Sequence, residues 1–433
     1  MKLNLIFPLS IIFLYPFSVY ALQNDVSINS ILLVIIAVSG YIIHFILNFK
    51  YRFTLVQVTC FFIIISIIVS FFIGNILVSI FIPDFHYYTY TSSIYFISII
   101  LFYLVLIESI TLRDIDFLLG MILFVSLIVA IFIFLQFALY FFYDVKIYPP
   151  FCNELNCTHQ YLKSPKYGYA GGYARPSGFF NSTNRVASYL IPSVFISIYF
   201  YKKNKNLIYS FLSLFFILTI VLNLSRSGII SLAIAIIFYY ALSSKEKKLS
   251  LMVSLLLVIT AASFLFFLFF IFLYTTGSGL NYKFNFFYNF DLSQAYFLIS
   301  NFFSAIQTSL SFIGFGVGYD VADEYLYQMY NPEIWGSHSN LIQIIVGIGI
   351  LPSSVIIISL FQTIYKSIKF SLDSENGEFY QLGLLLSVSL VGILLTGILR
   401  TYALNYYAIL ILAITYIIMK SQSITSEDQN VNN

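Results

Sequence analysis

The sequence predicts an all-α protein that crosses a membrane about 12 times, because its apolar residues come in long uninterrupted runs. Hydrophobic residues make up 60% of the 433 residues, and charged residues make up only 9%. A soluble enzyme does not need so much apolar surface, and the strands of a membrane β-barrel would alternate apolar and polar residues. A soluble enzyme is therefore excluded, and a β-barrel is not expected.

The apolar runs divide the chain into six regions. The predicted order is N-terminal membrane helices (1–143), a first large loop (144–184), central membrane helices (185–274), a second large loop (275–337), C-terminal membrane helices (338–420) and a polar, disordered tail (421–433). After Met1 to Leu22, single spans are expected at about 30–49, 54–82, 92–110, 117–143, 185–201, 206–224, 227–243, 249–274, 338–365, 380–399 and 402–419. The first segment is either an uncleaved span or a signal peptide that ends at Ala21.

The distribution of positive charge predicts which side of the membrane each loop faces. With the N-terminus inside, most of the 21 Lys and Arg residues fall on the inner side, including the short loops KKNK, SSKEKK and YKSIK. Cytoplasmic loops carry such an excess of cations. Both termini are then inside and both large loops are outside. Because long ordered loops commonly carry function, we expect the active face to be the outer one.

The first large loop holds two cysteines and several cations among aromatic residues. Cys152 and Cys157 are expected to form a disulfide in an oxidising compartment, with two free thiols as the alternative. Arg175 and Arg185 bracket the stretch RPSGFFNSTNR, which leads directly into a span. Guanidinium groups bind phosphate through paired hydrogen bonds, and aromatic rings can stack on sugar faces. The stretch therefore fits a sugar-phosphate ligand, with packing at the membrane interface as the alternative.

Two further arginines occupy short turns between spans on the predicted outer side. Arg226 lies in LNLSRSGIISL, where Ser225 or Ser227 is expected to cap the following helix. A helix N-terminus offers free amides and the positive end of the dipole, so an adjacent arginine completes a compact anion site. Arg400, in ILRTYALNYY, has a similar position. For such arginines the alternative is a side chain that extends to the lipid headgroups.

His338 stands where the second large loop meets the membrane, in EIWGSHSNLIQIIVGIGILP. It is predicted to open a helix capped by Ser337, whose positive end would keep the imidazole neutral and able to accept a proton. A hydrogen-bonded interfacial histidine is the alternative. The preceding GFGVG lacks the spacing of a dinucleotide fingerprint and is interpreted as a tight turn. No cluster of residues has the spacing of zinc ligands.

Three motifs, in this order, resemble those of the bacterial O-antigen polymerase and O-antigen ligase superfamily. They are RPSGFFNSTN, SRSG between two spans, and GFGVG followed by WGSHSNLIQIIVGIGILP. The resemblance covers Arg175 to Leu351 well and the rest only as about 12 spans. It implies a GT-C-like, polytopic glycosyltransferase that acts on lipid phosphosugars. Such an enzyme works without a metal or other cofactor at the periplasmic face of the bacterial inner membrane.

The resemblance also implies roles for individual residues. The donor would be an undecaprenyl-pyrophosphate-linked oligosaccharide, with Arg175 and Arg226 on the pyrophosphate and His338 activating the acceptor hydroxyl. The stretch NFDLSQAYFLISNFF lacks a cation that the family often has before its glycine turn, so Arg400 or Lys283 is an alternative contact. Membrane lipid, a polysaccharide chain-length regulator and a flippase are the other expected partners. A nucleic-acid partner is not expected.

Three functions stay open at the level of sequence. A polymerase transfers the growing chain to the sugar end of another lipid-linked unit, whereas a ligase transfers it to the lipid A core. The composition, with 48 Phe and 36 Tyr, favours the polymerase. A flippase is the alternative from another class, but it would place ionisable groups near the membrane midplane and show repeats. Here most charges lie at the ends of the predicted spans.

Overall fold

The computed structural model describes residues 5–16, 21–22, 26–47, 54–81, 91–143, 145, 147, 176, 178–180, 183–223, 225–243, 293–312, 314–318, 339–373, 378–399 and 405–431. These residues are largely helical, with one short antiparallel ladder between β1 (Ala21–Leu22) and β2 (Val26–Ser27). The α-helices are α1 (Ile6–Leu14), α2 (Ile28–Leu47), α3 (Leu55–Phe81), α4 (Thr91–Ser109), α5 (Ile115–Tyr143), α6 (Thr183–Asn204), α7 (Leu207–Leu222), α8 (Arg226–Ser243), α9 (Ser293–Ser311), α10 (Asn340–Ile348), α11 (Ile350–Asp373), α12 (Glu378–Leu399) and α13 (Tyr406–Val431).

Three helical segments of the described residues are long and apolar enough to cross a membrane. They are Leu55–Ile73, Leu112–Tyr140 and Ile350–Lys369. Shorter apolar segments lie in α2, α4, α7, α8, α12 and α13. The architecture is that of a helical membrane protein, while the expected number of about 12 spans stays a prediction.

Apolar stripes on the bundle surface fit a lipid environment. Phe62, Ile65 and Phe72 of α3 are exposed at the spacing of one helical face, and Phe211 and Leu214 of α7 are exposed in the same way. In lipid, an apolar surface carries no penalty as long as the backbone groups beneath it are hydrogen-bonded within the helix. Apolar residues, whose abundance excluded a soluble fold, thus cover the outside of the bundle and also fill its core.

Helix α6 lies at the centre of the described bundle. Every residue from 186 to 197 is buried, and the helix packs against α5, α7, α8, α12 and α13. Within this apolar core the Ser193 hydroxyl donates a hydrogen bond to the Ser126 hydroxyl of α5 at 2.7 Å. The first turn of α6 is therefore firmly placed, and it contains the end of the RPSGFFNSTN motif.

Polar contacts distinguish the two ends of the bundle. At one end, the Lys203 ammonium of α6 pairs with the Asp116 carboxylate of α5 at 2.6 Å, and Lys202 donates to the Tyr239 hydroxyl of α8. The opposite end of α6 lies roughly 30 Å away along the helix. The N-termini of α6 and α8 meet there, and these N-termini carry two of the predicted site arginines.

The region predicted as the second large loop contains a helix, α9, that the sequence analysis did not predict. Within the range 275–337, α9 buries Asn301, Ala305, Thr308 and Ser309, which recur at the spacing of one helical face. The prediction missed α9 because half of its surface is polar, so its mean hydropathy is low. Its buried face packs against α10, which makes α9 part of the fold around the third motif.

Three further boundaries differ from the predicted ones. The span expected over 338–365 is two helices, since α10 ends at Ile348 and α11 begins at Ile350. The polar tail predicted from 421 continues α13 as far as Val431. In the described part of the first segment, the α-helix is α1, which is nine residues long. The span predicted at 249–274 lies outside the described residues.

Candidate functional site

Two of the predicted site arginines belong to the described residues. Arg185 lies in the first turn of α6 with a half-buried side chain, and Arg226 is the first residue of α8. The remaining predicted positions lie outside the described residues: Arg175, Arg400, His338, Lys283, Cys152 and Cys157. The structure does describe residues close in the chain to Arg175, Arg400 and His338, and their positions in the bundle are given below.

Asn184 joins the N-terminus of α6 to that of α8. Its side-chain carbonyl oxygen accepts hydrogen bonds from the Ser225 hydroxyl at 2.7 Å and from the Ser227 hydroxyl at 3.0 Å. The Ser225 oxygen in turn accepts from the Gly228 amide at 3.1 Å. This bond confirms the predicted capping of the SRSG helix and identifies Ser225 as the cap. The first and second motifs therefore meet in one hydrogen-bonded junction.

The close approach of the two helices depends on a glycine. A Cβ added at Gly228 would lie 2.2 Å from the Cβ of Ala187 in α6. Such a distance is far below van der Waals contact, so no larger residue fits unless the helices move apart. The glycine of SRSG is thus explained by helix packing, which brings the backbone of Arg226 next to the first turn of α6.

The junction is suited to binding an anion. Two helix N-termini meet, each with the positive end of its dipole and amides that lack a partner within the helix. Each also carries one arginine, Arg185 beside Asn184 and Arg226 between Ser225 and Ser227. Phosphate groups are bound by this combination of helix N-terminus and guanidinium. Of the predicted arginines, these are the two whose helix N-termini meet in the described part of the chain.

The segment that follows Arg175 is anchored to α5. The Gly178 amide donates to the Gln136 side-chain oxygen at 2.9 Å, and the Gln136 side-chain nitrogen donates to the Ile147 carbonyl at 3.0 Å. Gly178 has a φ of +59°, and a Cβ there would lie 2.7 Å from Ile133. The motif glycine is therefore required both by its backbone conformation and by the space available.

Aromatic side chains attach the same segment to the core. Phe179 stacks on Phe132 of α5 with ring centroids 4.4 Å apart. Phe180 packs against Tyr189 of α6 at 5.4 Å and against Tyr15 at 6.0 Å. Both phenylalanines of RPSGFFNSTN are thus core residues. This leaves the polar residues of the motif to contact a ligand.

The segment that follows Arg400 ends at the same end of the bundle. Asn405 caps α13 by accepting from the Ala408 amide at 2.9 Å. The Tyr406 hydroxyl is hydrogen-bonded to Ser98 of α4, and its ring lies 5.0 Å from that of Tyr95. The ring of Tyr407 lies 4.5 Å from that of Tyr189, so the start of α13 lies beside the N-terminal part of α6.

The helix after His338 begins later than predicted. Helix α10 starts at Asn340, and Ser339 is its N-cap by backbone conformation, with no capping hydrogen bond from its side chain. The predictions that His338 opens the helix and that Ser337 caps it are wrong. His338 stands in the chain just before the helix N-terminus.

GFGVG is more than the tight turn expected from the sequence. The Val317 amide donates to the Val346 carbonyl at 2.8 Å, and the Gly318 amide donates to the Gly347 carbonyl at 2.8 Å. The motif therefore pairs with the last turn of α10. Gly314 and Gly318 both have positive φ, which glycine adopts without strain.

Sequence reasoning missed Asn184 and Gln136 as residues that build the site. Gln136 could have been noticed, because it is a fully buried amide inside the apolar run IFIFLQFALYFF, and a polar side chain within a membrane span is functional by default. Asn184 immediately precedes Arg185, but its partners lie about 40 residues later, and no local pattern indicates them. Among the described residues, no group of three or more His, Cys, Asp or Glu side chains could hold a metal ion.

Comparison with known proteins relates these motifs to one family. Residues 211–357 match the family model described as O-antigen ligase. The matched range contains SRSG, GFGVG and the stretch around His338, whereas RPSGFFNSTN precedes it. The match confirms the resemblance to the O-antigen polymerase and ligase superfamily. No curated protein matches the chain.

Proposed function

We propose that this chain, which carries an O-antigen ligase family domain over residues 211–357, is a surface-polysaccharide polymerase. It transfers an undecaprenyl-pyrophosphate-linked glycan onto the sugar end of another lipid-linked repeat unit at the periplasmic face of the inner membrane. The observation that carries the proposal is the junction of α6 and α8, where Asn184 accepts hydrogen bonds from serines on both sides of Arg226.

The donor pyrophosphate binds at this junction. Arg185 and Arg226 offer two guanidinium groups, and the helix N-termini add backbone amides. Arg175 and Arg400 lie in the chain shortly before segments that are anchored at the same end of the bundle, and they extend the cationic site. Charge on the leaving pyrophosphate grows in the transition state, so cations placed in advance lower the barrier without having to reorganise.

His338 acts as the general base. Its imidazole takes the proton from the acceptor hydroxyl while the hydroxyl oxygen forms a bond to the anomeric carbon of the donor. The bond between that carbon and the pyrophosphate oxygen breaks, and undecaprenyl pyrophosphate leaves with the electron pair. In-line displacement of this kind inverts the configuration at the anomeric carbon.

Ligase activity is the second candidate, favoured by the description of the matching family as O-antigen ligase. The two activities share the donor and the chemistry, and they differ in the acceptor. A ligase would present the lipid A core to the base in place of the sugar end of a second lipid-linked unit.

Deletion of the gene separates the two activities. Loss of a polymerase leaves lipopolysaccharide capped with a single repeat unit, and this is the expected result. Loss of a ligase leaves bare core and accumulates lipid-linked polymer. A lipopolysaccharide ladder that is unchanged in the deletion strain would contradict both activities. Restoration of the ladder by the plasmid-borne gene is the control.

A further inference from the structure

The helical segment that follows His338 in the chain is broken at Gly349. Helix α10 ends at Ile348, Gly349 has a φ of +98°, and α11 begins at Ile350. A break leaves carbonyls at the end of one helix and amides at the start of the next without helical partners. In the apolar part of a membrane each such group costs several kcal/mol unless the protein supplies a partner.

Backbone groups of GFGVG and two serine hydroxyls supply these partners. GFGVG pairs with the carbonyls of Val346 and Gly347, as described above. On the α11 side, the Ser309 hydroxyl oxygen of α9 accepts from the Ile350 amide at 2.6 Å, and the Gly314 carbonyl accepts from the Leu351 amide at 3.3 Å. The break is therefore a defined structure in which α9 and the glycine motif replace the missing helical bonds.

Ser70 of α3 forms hydrogen bonds with the end of α10 and with GFGVG at once. Its hydroxyl donates to the Ile348 carbonyl at 3.0 Å and accepts from the Gly316 amide at 3.2 Å. The side chain is fully buried. Its partners lie more than 240 residues later in the chain. Ser70 therefore links α3, through one hydroxyl, to the end of α10 and to GFGVG.

The packing around Ser70 allows little adjustment. A Cβ added at Gly316 would lie 2.3 Å from the Val346 carbonyl oxygen, and one added at Gly349 would lie 2.2 Å from the Gly314 carbonyl oxygen. Both neighbours are backbone atoms. Ile344 and Ile348 of α10 also pack with Cys60, Ile63 and Ile67 of α3. The position of α10 along its own axis is thus set by Ser70 and the glycine motif together.

We infer that Ser70 is a positioning residue for transfer, which holds α10 so that His338, just before its first turn, meets the acceptor hydroxyl. The inference rests on the proposed function and deepens it, because it assigns a role to α3, which lies outside the matched family domain. A general base must lie within hydrogen-bond reach of the proton it takes, and a displacement of about 1 Å can reduce a rate 100-fold.

The test compares Ser70→Ala with two matched variants. Ser70→Thr keeps the hydroxyl. Ser66→Ala removes a hydroxyl one turn away on the same helix, equally buried, whose hydrogen bond goes to the Phe62 carbonyl of α3 itself. Transfer is measured with purified protein and lipid-linked repeat units, and hydrogen–deuterium exchange is followed in the peptide covering residues 339–348. This exchange readout does not depend on any activity.

Ser70→Ala is expected to lower kcat by roughly tenfold or more with the donor KM unchanged, because the base directly precedes α10 in the chain whereas the donor cations belong to the α6–α8 junction. Hydrogen–deuterium exchange in the peptide covering residues 339–348 is expected to rise. Ser70→Thr should return both kcat and the exchange of this peptide to the wild-type level. Ser66→Ala should match the wild type in both measurements. Equal kcat and equal exchange in Ser70→Ala and Ser66→Ala would overturn the inference while leaving the proposed function intact. A wild-type protein without transfer activity would instead overturn the proposed function, whatever the exchange data show.

Discussion

At the scale of single residues, the described part of the site depends on Asn184. The sequence predicts the serine cap of α8, and the structure confirms it, because a cap is a contact between residues close in the chain. The contact between Asn184 and the two serines joins residues about 40 positions apart. Local patterns predict that two helix N-termini exist, but they do not predict that these two meet.

Asn184→Ala is expected to raise the donor KM. The change leaves the Ser225 and Ser227 hydroxyls without their common acceptor, and unsatisfied buried groups cost about 1–3 kcal/mol. If part of that cost appears in donor binding, the KM rises roughly tenfold, since every 1.4 kcal/mol is a factor of ten. Arg226→Ala should act in the same direction. The measurement is the rate of polymer formation at varied donor concentration.

Ser188→Ala is the matched control for Asn184→Ala. Ser188 lies one turn further along α6, is buried, and donates to the Arg185 carbonyl of its own helix. Its removal leaves the junction with α8 unchanged, so the donor KM should equal that of the wild type. If Asn184→Ala and Ser188→Ala gave the same KM, Asn184 would have no part in donor binding.

At the scale of elements, most helices lie within a few residues of their predicted spans, because a long apolar run is a strong signal. The exception is the span predicted at 338–365, which the structure breaks at Gly349. The stretch IIVGIGILP, from Ile344 to Pro352, contains no polar side chain, so its hydropathy shows no interruption at Gly349. The break exists because GFGVG and two distant serines bind the backbone there, and such tertiary contacts have no trace in the hydropathy of the run.

Gly316→Ala is expected to destabilise the protein. The new Cβ would lie 2.3 Å from the Val346 carbonyl oxygen and 2.4 Å from the Gly347 backbone, and neither atom belongs to a flexible side chain. Overpacking of this kind costs about 1–3 kcal/mol. The expected result is a lower Tm of thermal unfolding in detergent, together with reduced transfer activity.

Gly120→Ala is the control for this prediction. Gly120 lies inside α5, and a Cβ there would meet no atom within 4 Å. Alanine is favoured over glycine in a helix by roughly 0.5–1 kcal/mol, so the Tm should stay the same or rise slightly. A Gly316→Ala protein as stable as Gly120→Ala would show that GFGVG does not pack against α10 as described.

At the scale of the whole molecule, the predicted orientation rests on the distribution of charge. The Lys203–Asp116 pair belongs to the end that the positive-inside rule assigns to the cytoplasm, and the α6–α8 junction belongs to the opposite end. The sequence predicts which helix ends lie on the same side of the membrane. The contacts between the helices agree, because each of them joins two ends that are predicted on one side. The number of spans and the structure of the large outer loops could not be derived in the same way, since polar loop residues carry no periodic signal.

Thiol labelling tests the orientation. In a chain with Cys152→Ser and Cys157→Ser, we expect Tyr143→Cys, at the exposed end of α5, to react with a membrane-impermeant reagent in cells whose outer membrane alone is permeabilised. Lys205→Cys, in the turn after α6, should react only after the inner membrane is opened. Cys60 is buried in α3 and should contribute no background. The reverse labelling pattern would place the α6–α8 junction in the cytoplasm and exclude a periplasmic reaction.

The central claim is that His338 takes the proton of an acceptor hydroxyl while cations at the α6–α8 junction hold the donor pyrophosphate. The most direct measurement is polymer formation by purified protein with lipid-linked repeat units, for the wild type, His338→Ala and the histidine control His86→Ala. The account predicts polymer from the wild type and from His86→Ala. From His338→Ala it predicts none, with an unchanged Tm and unchanged donor binding. Polymer formed by His338→Ala at the wild-type rate would contradict the account.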